Sequence, residues 1–317
     1  MMLRLAMLLA LAWPAAAQDY PRRQIRVLEP LAASSAVDVV TRIVTERMGR
    51  ILGQSMFVDN QSGAAGLLGM RAGLHAAPDG YTILAVNDSV LSVLPNMRRD
   101  AGYDPRRDFE PIIELVKLHW ALVSNPGFAP KTIPALIAAG KAHPEEINYA
   151  SGGEGSPQHI AMELFMRATG TRFTHVPYRG VTPALTDVVS GHVPMMFVAF
   201  PSPLPFRASH QLDIIGTGDL TRLAATPDVP SIAEQGLPGF EFLAWGALLA
   251  PKGTPPEIIA RLNAAATEAM ADPAINKQLT DLGYEVAGGT PEALGRLIAA
   301  DFDTKGALLR AANIHAD

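Results

Sequence analysis

The stretch IRVLEPLAASSAVDVVTRIVTERMGRIL, residues 25–52, decides the fold class of this chain. Its first residues, Ile25 to Leu28, form a short apolar run of the kind that makes a buried strand. From Asp38 to Leu52 the apolar residues recur at helical spacing, and Gly53 follows as a helix stop signal. The stretch therefore predicts a strand, a loop of small residues and a helix.

The same alternation continues along the rest of the chain. Strands are predicted at 55–58, 81–86, 112–124, 147–150, 173–176, 193–198 and 212–216, and helices at 66–75, 133–142, 156–169 and 183–190, with a helical region at 256–309. Repeated strand–helix units with short connections indicate an α/β fold whose sheets are mainly parallel and flanked by helices. In such folds, ligand sites lie at the carboxyl ends of the strands.

Two apolar runs, near residues 118–124 and 243–249, are long enough to cross between two domains. They predict a first domain made of residues 18–121 and 245–317, with a second domain, 122–244, inserted into it. The hinge is then expected near Leu122 and Trp245. A length of 317 residues agrees with about two domains.

The first residues, MMLRLAMLLALAWPAAAQDY, have the order of a secretory signal peptide. Arg4 precedes an apolar run, and Ala15 to Ala17 supply the small residues of a cleavage site after residue 17. The apolar run is about half of the ~20 residues that a membrane span needs, although an N-terminal anchor is the alternative. We expect residues 1–17 to be removed and the mature chain to be a soluble periplasmic protein.

Composition excludes several classes of function. A hydrophobic content of 48% with 18% charged residues is typical of a globular protein. The net charge of -5 gives no overall positive field to attract nucleic acid. The chain contains no cysteine, which excludes disulfides and thiolate catalysis.

Catalytic and metal-binding patterns are also missing from the sequence. Ser151 or Ser156 could pair with His159 as nucleophile and base, but no G-x-S-x-G turn occurs. The eight histidines show no H-x-x-x-H spacing, and no glycine-rich phosphate-binding motif is present. We expect no catalytic residue, no metal and no cofactor, and His159 is interpreted as a support for its loop.

Two loops of small residues, at 33–38 and 151–156, each lead from a predicted strand into a predicted helix. Small residues let backbone amides approach a ligand, and the unpaired amides at a helix start favour an anion such as a dicarboxylate. The alternative is that both loops are ordinary tight turns. A third small-residue turn follows Asn60, and Tyr178 either lines the cleft or covers a domain edge.

Short motifs along nearly the whole chain carry a family resemblance: Tyr20-Pro21 with Ile25-Arg26, Asp59-Asn60, and the segments 77–82, 103–109, 148–151, 175–180, 183–187, 228–231, 236–240, 249–255 and 288–292. In order and spacing they resemble the periplasmic solute-binding proteins of tripartite tricarboxylate transporters, the Bug family. The resemblance implies a two-domain Venus-flytrap fold of the periplasmic binding protein type (type II-like) that closes on a small ligand, usually a carboxylate. It also implies a non-enzymatic monomer that delivers the ligand to membrane permease subunits. The alternative is a sensing adaptor for a membrane receptor.

The resemblance also implies a set of ligand-binding positions: Ala33, Ser34, Ser35, Asp38, Asn60, Ser151, Gly153, Glu154, Gly155, Ser156, His159, Tyr178 and Val198. Three features depart from the family pattern. Residues 34–36 replace a glycine run, Glu154 replaces a neutral residue, and Val198 replaces a common aspartate.

These departures change which class of ligand is expected. A carboxylate about 4 Å from a ligand carboxylate would cost about 4 kcal/mol at an effective dielectric of 20. Glu154 is therefore expected to point to solvent, or else the ligand is not a simple dianion. Val198 removes a partner for an ammonium group, so a monocarboxylate or a neutral or aromatic ligand is expected rather than an amino acid.

Overall fold

Two β-sheets with helices on their faces make up the computed structural model, which describes residues 20–311 except 32, 34, 99, 201 and 225. The predicted signal peptide, residues 1–17, and the predicted ligand residue Ser34 lie outside the described residues. Among the described residues, no helix combines the length and the apolar character that crossing a membrane requires.

The first sheet has the strand order β11-β4-β10-β3-β1-β2 in the described chain. Its strands are β1 (Ile25–Glu29), β2 (Met56–Asn60), β3 (Thr82–Asn87), β4 (Phe109–Leu118), β10 (Ala244–Pro251) and β11 (Tyr284–Gly288). The helices of this domain are α1 (Ala36–Leu52), α2 (Leu67–Leu74), α3 (Leu94–Met97), α8 (Pro256–Ala271), α9 (Pro273–Asp281) and α10 (Pro291–Ala311). A 3₁₀ turn, Ala64–Gly66, precedes α2, and a π-helical segment, Ser89–Val93, precedes α3.

The second sheet has the order β7-β6-β8-β5-β9 within the described residues. Its strands are β5 (Trp120–Ser124), β6 (Asn148–Ser151), β7 (Thr174–Pro177), β8 (Met195–Ala199) and β9 (Asp213–Thr217). The helices are α4 (Ile133–Ala142), α5 (Pro157–Thr169), α6 (Val181–Val189) and α7 (Leu204–Ala208). Each sheet contains its own layer of buried apolar side chains, so each forms a separate core.

The predicted two-domain α/β fold is confirmed, but both sheets are mixed rather than mainly parallel. Strands β1, β2 and β3 pair in parallel, whereas β10 runs antiparallel to both β3 and β4. In the second sheet β5 is antiparallel to both of its neighbours. The reason is topological, because a strand that carries the chain between domains enters its sheet without a helical crossover.

Two further expectations differ from the structure. The predicted single strand at 112–124 is divided at His119, with β4 in one sheet and β5 in the other. The predicted helical region at 256–309 contains the strand β11, an edge strand with only partly buried side chains. An edge strand of this kind lacks the continuous apolar run that marks a buried strand.

The chain passes between the sheets at two neighbouring places. The first passage is His119, and the second is the segment from β9 to β10. Gly218 joins them, because its amide donates to the Trp120 carbonyl at 2.7 Å and its carbonyl accepts from the Phe242 amide at 2.7 Å. The Trp120 and Phe242 rings also meet edge to face, with centroids 5.4 Å apart. The domain boundaries at 121/122 and 244/245 and the hinge near Leu122 and Trp245 stay predictions.

Helix α10 ties the two domains together beside these passages. Leu308 and Leu309 near its end pack into the apolar cluster of the second domain. Lys305 is buried and forms ion pairs with Asp88, which follows β3, and with Asp301 one turn earlier in the helix. The C-terminal helix therefore contacts both cores and is anchored to the first domain through charge.

We predict that Gly218→Ala lowers the free energy of unfolding by about 1–3 kcal/mol. A methyl group at Gly218 would lie 2.8 Å from the Phe242 carbonyl oxygen, so the two ends of the segment from β9 to β10 would have to separate. Gly295→Ala in α10 is the control, since its methyl group would make an ordinary contact 3.5 Å from Pro111. Alanine within a helix should raise stability there by about 0.5–1 kcal/mol. Urea unfolding measures both, and equal effects of the two substitutions would contradict this account of Gly218.

Candidate functional site

The first predicted loop connects β1 to α1 at the carboxyl end of β1. Ser35 is the N-cap residue of α1, and its hydroxyl accepts from the Asp38 amide at 3.2 Å. Ala33 lies in an exposed turn before the cap. The loop thus presents small side chains and a capped helix start, as the sequence predicts.

Asp38 and Asn60 support this loop from behind. Asp38 is buried and accepts from the Arg42 guanidinium at 2.9 and 3.0 Å. The Asn60 amide donates to Asp38 at 2.9 Å and to the Leu31 carbonyl at 3.2 Å. These contacts hold the loop and the start of α1 together, and ligand contact by Asp38 and Asn60 stays a prediction.

Glu29, the last residue of β1, is a buried acid that the sequence patterns above do not single out. Its side chain is 0% exposed, and neither carboxylate oxygen has a hydrogen-bond partner among the described residues. Burial, together with the nearby charge of Asp38, raises the pKa of Glu29 to about 8. The sequence signal that could have revealed it is an acid that ends the apolar run of β1.

The second predicted loop connects β6 to α5. The buried Ser151 hydroxyl accepts from the Gly153 amide at 3.0 Å, and Ser156 caps α5 by accepting from the His159 amide at 3.4 Å. Gly153 and Gly155 have φ values of 123° and 67°, which favour glycine. The loop therefore turns tightly, and the amides of Gly153, Gly155 and Ser156 are bonded within the second domain.

Gly155 also touches the first domain. A methyl group at Gly155 would lie 2.5 Å from the terminal carbon of Met97 on α3. This contact crosses from the second domain to the segment after β3. Glycine is required at this position by both the backbone conformation and the close approach of the two domains.

His159 supports the second loop, as predicted. Its side chain is buried, and Nδ1 accepts from the Gly155 amide at 3.1 Å. The ring stacks on His175 of β7, with centroids 4.0 Å apart. His175 reaches this place because β6 and β7 pair in parallel, with Tyr149 opposite His175. Burial and the neighbouring His159 lower the pKa of His175.

Glu154 lies above the two stacked imidazole rings. Its side chain is 71% exposed, in agreement with the expectation that it points to solvent. Its carboxylate oxygens are 3.5 Å from His159 Nδ1 and 3.4 Å from His175 Nδ1. Local sequence spacing does not reveal this cluster, because His175 comes from a different strand.

A serine–histidine pair does form, but with a different histidine from the one weighed in the sequence. Ser151 Oγ lies 2.5 Å from His175 Nε2, whereas Ser156 serves as a helix cap. Ser151 is fully buried. Since a nucleophilic hydroxyl must reach its substrate, the pair orients the imidazole rather than attacking a substrate.

Tyr178 and Val198 complete the predicted set. The Tyr178 hydroxyl donates to Asp187 at 2.6 Å, and the residue is half-buried beyond the end of β7. Val198 is 0% exposed and packs in the core of the second domain. A ligand therefore has no access to the Val198 side chain in this structure, and we leave Val198 out of the candidate site.

A cavity of about 460 Å³ lies between the domains beside His119. The second domain contributes Phe200 and Asp219 to its lining, and the first domain contributes Tyr284 and Glu285. His119 Nδ1 is 2.5 Å from Asp219, and Tyr284 donates to the Ala36 carbonyl at the start of α1. Tyr284 thus links the lining of the cavity to the start of α1, and this polar lining was not predicted from the sequence.

The matches with known proteins cover most of this chain. Residues 40–314 match the model of the tripartite tricarboxylate transporter family receptor. A protein encoded in the tcbD–tcbE intergenic region of a Pseudomonas species is 36% identical over 283 residues, covering 89% of this chain and 84% of that protein. The chain therefore belongs to the tripartite tricarboxylate transporter receptor family.

Two solved structures are similar over nearly their full length. Rpa4515 of R. palustris, solved with adipate, is 28% identical with a TM-score of 0.79, and the match covers 94% of this chain and 99% of that one. MatC from Rhodopseudomonas palustris, solved with malate, is 31% identical with a TM-score of 0.76, covering 92% and 100% of the two chains. Adipate and malate are both dicarboxylates, and they are the ligands in the structures of those two relatives.

We predict that Glu29 makes the folded chain less stable as pH rises. The pKa of Glu29 is about 8 in the folded state, whereas the ordinary pKa of glutamate is 4.5. Between these two pH values the folded state therefore binds more protons than the unfolded state. The free energy of unfolding should then fall with pH, by up to about 1.4 kcal/mol per pH unit from this group. Glu29→Gln should flatten that slope.

Urea unfolding at pH 5, 6.5 and 8 measures the effect. Glu46→Gln is the matched control, because Glu46 is an exposed acid on α1 paired with Arg50. The control should keep the pH dependence of the unsubstituted chain. If Glu29→Gln keeps it too, Glu29 does not retain its proton in the folded state.

Proposed function

We propose that this member of the tripartite tricarboxylate transporter receptor family captures a small organic carboxylate between its two domains and delivers it to a membrane permease of the same transporter type. One observation carries the proposal. Two capped helix starts, at α1 in the first domain and α5 in the second, follow small-residue loops at strand ends. They belong to two sheets that are joined through two neighbouring passages.

The chemistry of helix starts supports an anionic ligand. The first amides of a helix have no partner within the helix, and the macrodipole adds about half a positive charge at that end. In α1 and α5 the serine caps satisfy the amides of Asp38 and His159. The amides of Ala36 and Val37 in α1 and of Gln158 in α5 are suited to carboxylate oxygens, whereas Pro157 has no N–H to donate.

The proposed site divides into contact and support positions. Ala33, Ser34 and Ser35 of the first loop and Gly153 to Ser156 of the second are proposed to contact the ligand, with Tyr178 at the rim. Asp38, Asn60, Ser151 and His159 position these loops. The hinge between the domains would close the cleft over the ligand.

The ligand class follows from the charges near the loops. Relatives bind malate and adipate, and a carboxylate suits the amide groups at the helix starts. At residue 198 this chain offers a buried valine and no acid for an ammonium group. We therefore propose a carboxylate without an amino group. Residues 1–17 are proposed to direct the chain to the periplasm, where it acts as a monomer without catalytic activity.

A thermal-shift panel tests the binding of carboxylates to the mature chain. We expect mono- or dicarboxylates to raise the melting temperature and amino acids to leave it unchanged. At 100 times its dissociation constant, a ligand should stabilise the folded chain by about 2.7 kcal/mol. A response to amino acids alone, or to no compound of the panel, would contradict the proposal.

Glu154→Gln tests the placement of the ligand at the second loop. A carboxylate this exposed repels a ligand anion about 4 Å away by about 1 kcal/mol, so the variant should bind a dicarboxylate roughly fivefold more tightly. Calorimetry on protein stripped of metal with a chelating resin measures the affinity. The control, Glu146→Gln, removes an exposed acid that pairs with His143 and should leave the affinity unchanged. Equal affinities of both variants would place the ligand away from Glu154.

A further inference from the structure

Three side chains on the second loop and its neighbouring strand bring metal-binding atoms together. Glu154 comes from the β6–α5 loop, His159 from the first turns of α5 and His175 from β7. One ligand atom from each lies within 4.8 Å of the other two. His119 also has two acids beside it, Asp219 at 2.5 Å and Glu285 at 3.4 Å, but they lie on its two different ring nitrogens.

The distances suit a small transition-metal ion. Two donor atoms on a tetrahedral zinc ion, each about 2.0–2.1 Å from the metal, lie roughly 3.3–3.4 Å apart. The carboxylate of Glu154 is 3.5 Å from His159 Nδ1 and 3.4 Å from His175 Nδ1. These separations match that spacing, although they run to the two different oxygens of Glu154.

The hydrogen bonds leave acceptor nitrogens on the side of Glu154. His159 Nδ1 accepts from the Gly155 amide, so it carries no proton. Ser151 Oγ accepts from the Gly153 amide and lies 3.2 Å from the Gly153 carbonyl, to which it can donate. His175 Nε2 then donates to Ser151, which leaves the lone pair of Nδ1 facing the carboxylate. Two imidazole acceptors and a carboxylate form a donor set for a cation.

We propose that Glu154, His159 and His175 bind one divalent transition-metal ion of the zinc, cobalt or nickel class. Imidazole nitrogen together with carboxylate favours these ions, whereas calcium and magnesium prefer sites made of oxygen alone. Neutral imidazole is the form that binds metal.

Surrounding groups hold the two imidazole rings in place. Ser151 fixes the far nitrogen of His175, and Glu163 lies 3.6 Å from the far nitrogen of His159. Such partners orient metal-binding imidazoles in known sites. The rings are nearly parallel, at 19°, so binding must tilt one of them and displace the Gly155 amide from His159. The flanking glycines Gly153 and Gly155 give the backbone of Glu154 the freedom to move with the tilted ring.

Calorimetric titration with Zn²⁺ tests the site, using untagged mature chain stripped on a chelating resin and a buffer free of organic acids. We expect one ion per chain, and a visible absorption band when Co²⁺ replaces Zn²⁺. Glu154→Gln should weaken binding at least about tenfold, because loss of even an outer partner costs 10- to 100-fold in known sites. Glu146→Gln, with the same loss of charge, should bind like the unsubstituted chain.

A second readout separates metal binding from misfolding of a variant. The Gly155 amide resonance should shift on addition of Zn²⁺ in the unsubstituted chain and stay in place in Glu154→Gln. Unfolding of both metal-free variants checks that they fold alike, since Glu154 is largely exposed. No binding, or equal binding by Glu154→Gln, would overturn the proposal. Because no organic acid is present, this result is independent of the carboxylate-binding test.

Discussion

The whole arrangement depends on the hydrogen bonds of Gly218, which join the two passages of the chain between its sheets. The amide of Gly218 bonds to Trp120 just after the first passage, and its carbonyl bonds to Phe242 before the second passage ends. A side chain at this position would collide with the Phe242 carbonyl. The two passages are therefore held side by side and can act as one hinge.

The hinge determines which groups meet in the cleft. His119 and Asp219 lie on the two passages and contact each other, and Tyr284 extends from the first sheet to the start of α1. Across the cleft, Gly155 of the second loop rests against Met97 of the first domain. The second small-residue loop thereby reaches the first domain.

The two glutamates near the loops differ in charge because their environments differ. Glu29 is buried without a hydrogen-bond partner in the described chain, so it holds its proton near neutral pH. Glu154 is exposed beside two imidazole rings and can carry its charge in water. The same type of side chain is thus a neutral group beneath one loop and an anionic group at the other. The charge of a glutamate near these loops thus depends on its burial as much as on its residue type.

By itself, the sequence determined the α/β class, the two small-residue loops and the supporting role of His159. These features follow from local periodicity, turn residues and caps, which act over a few neighbouring residues. Only the tertiary structure decided the mixed strand directions, the burial of Val198, the mutual support of Asp38 and Asn60, and the meeting of His175 with Glu154. Strand pairing and burial depend on segments far apart in the chain, so no local pattern specifies them.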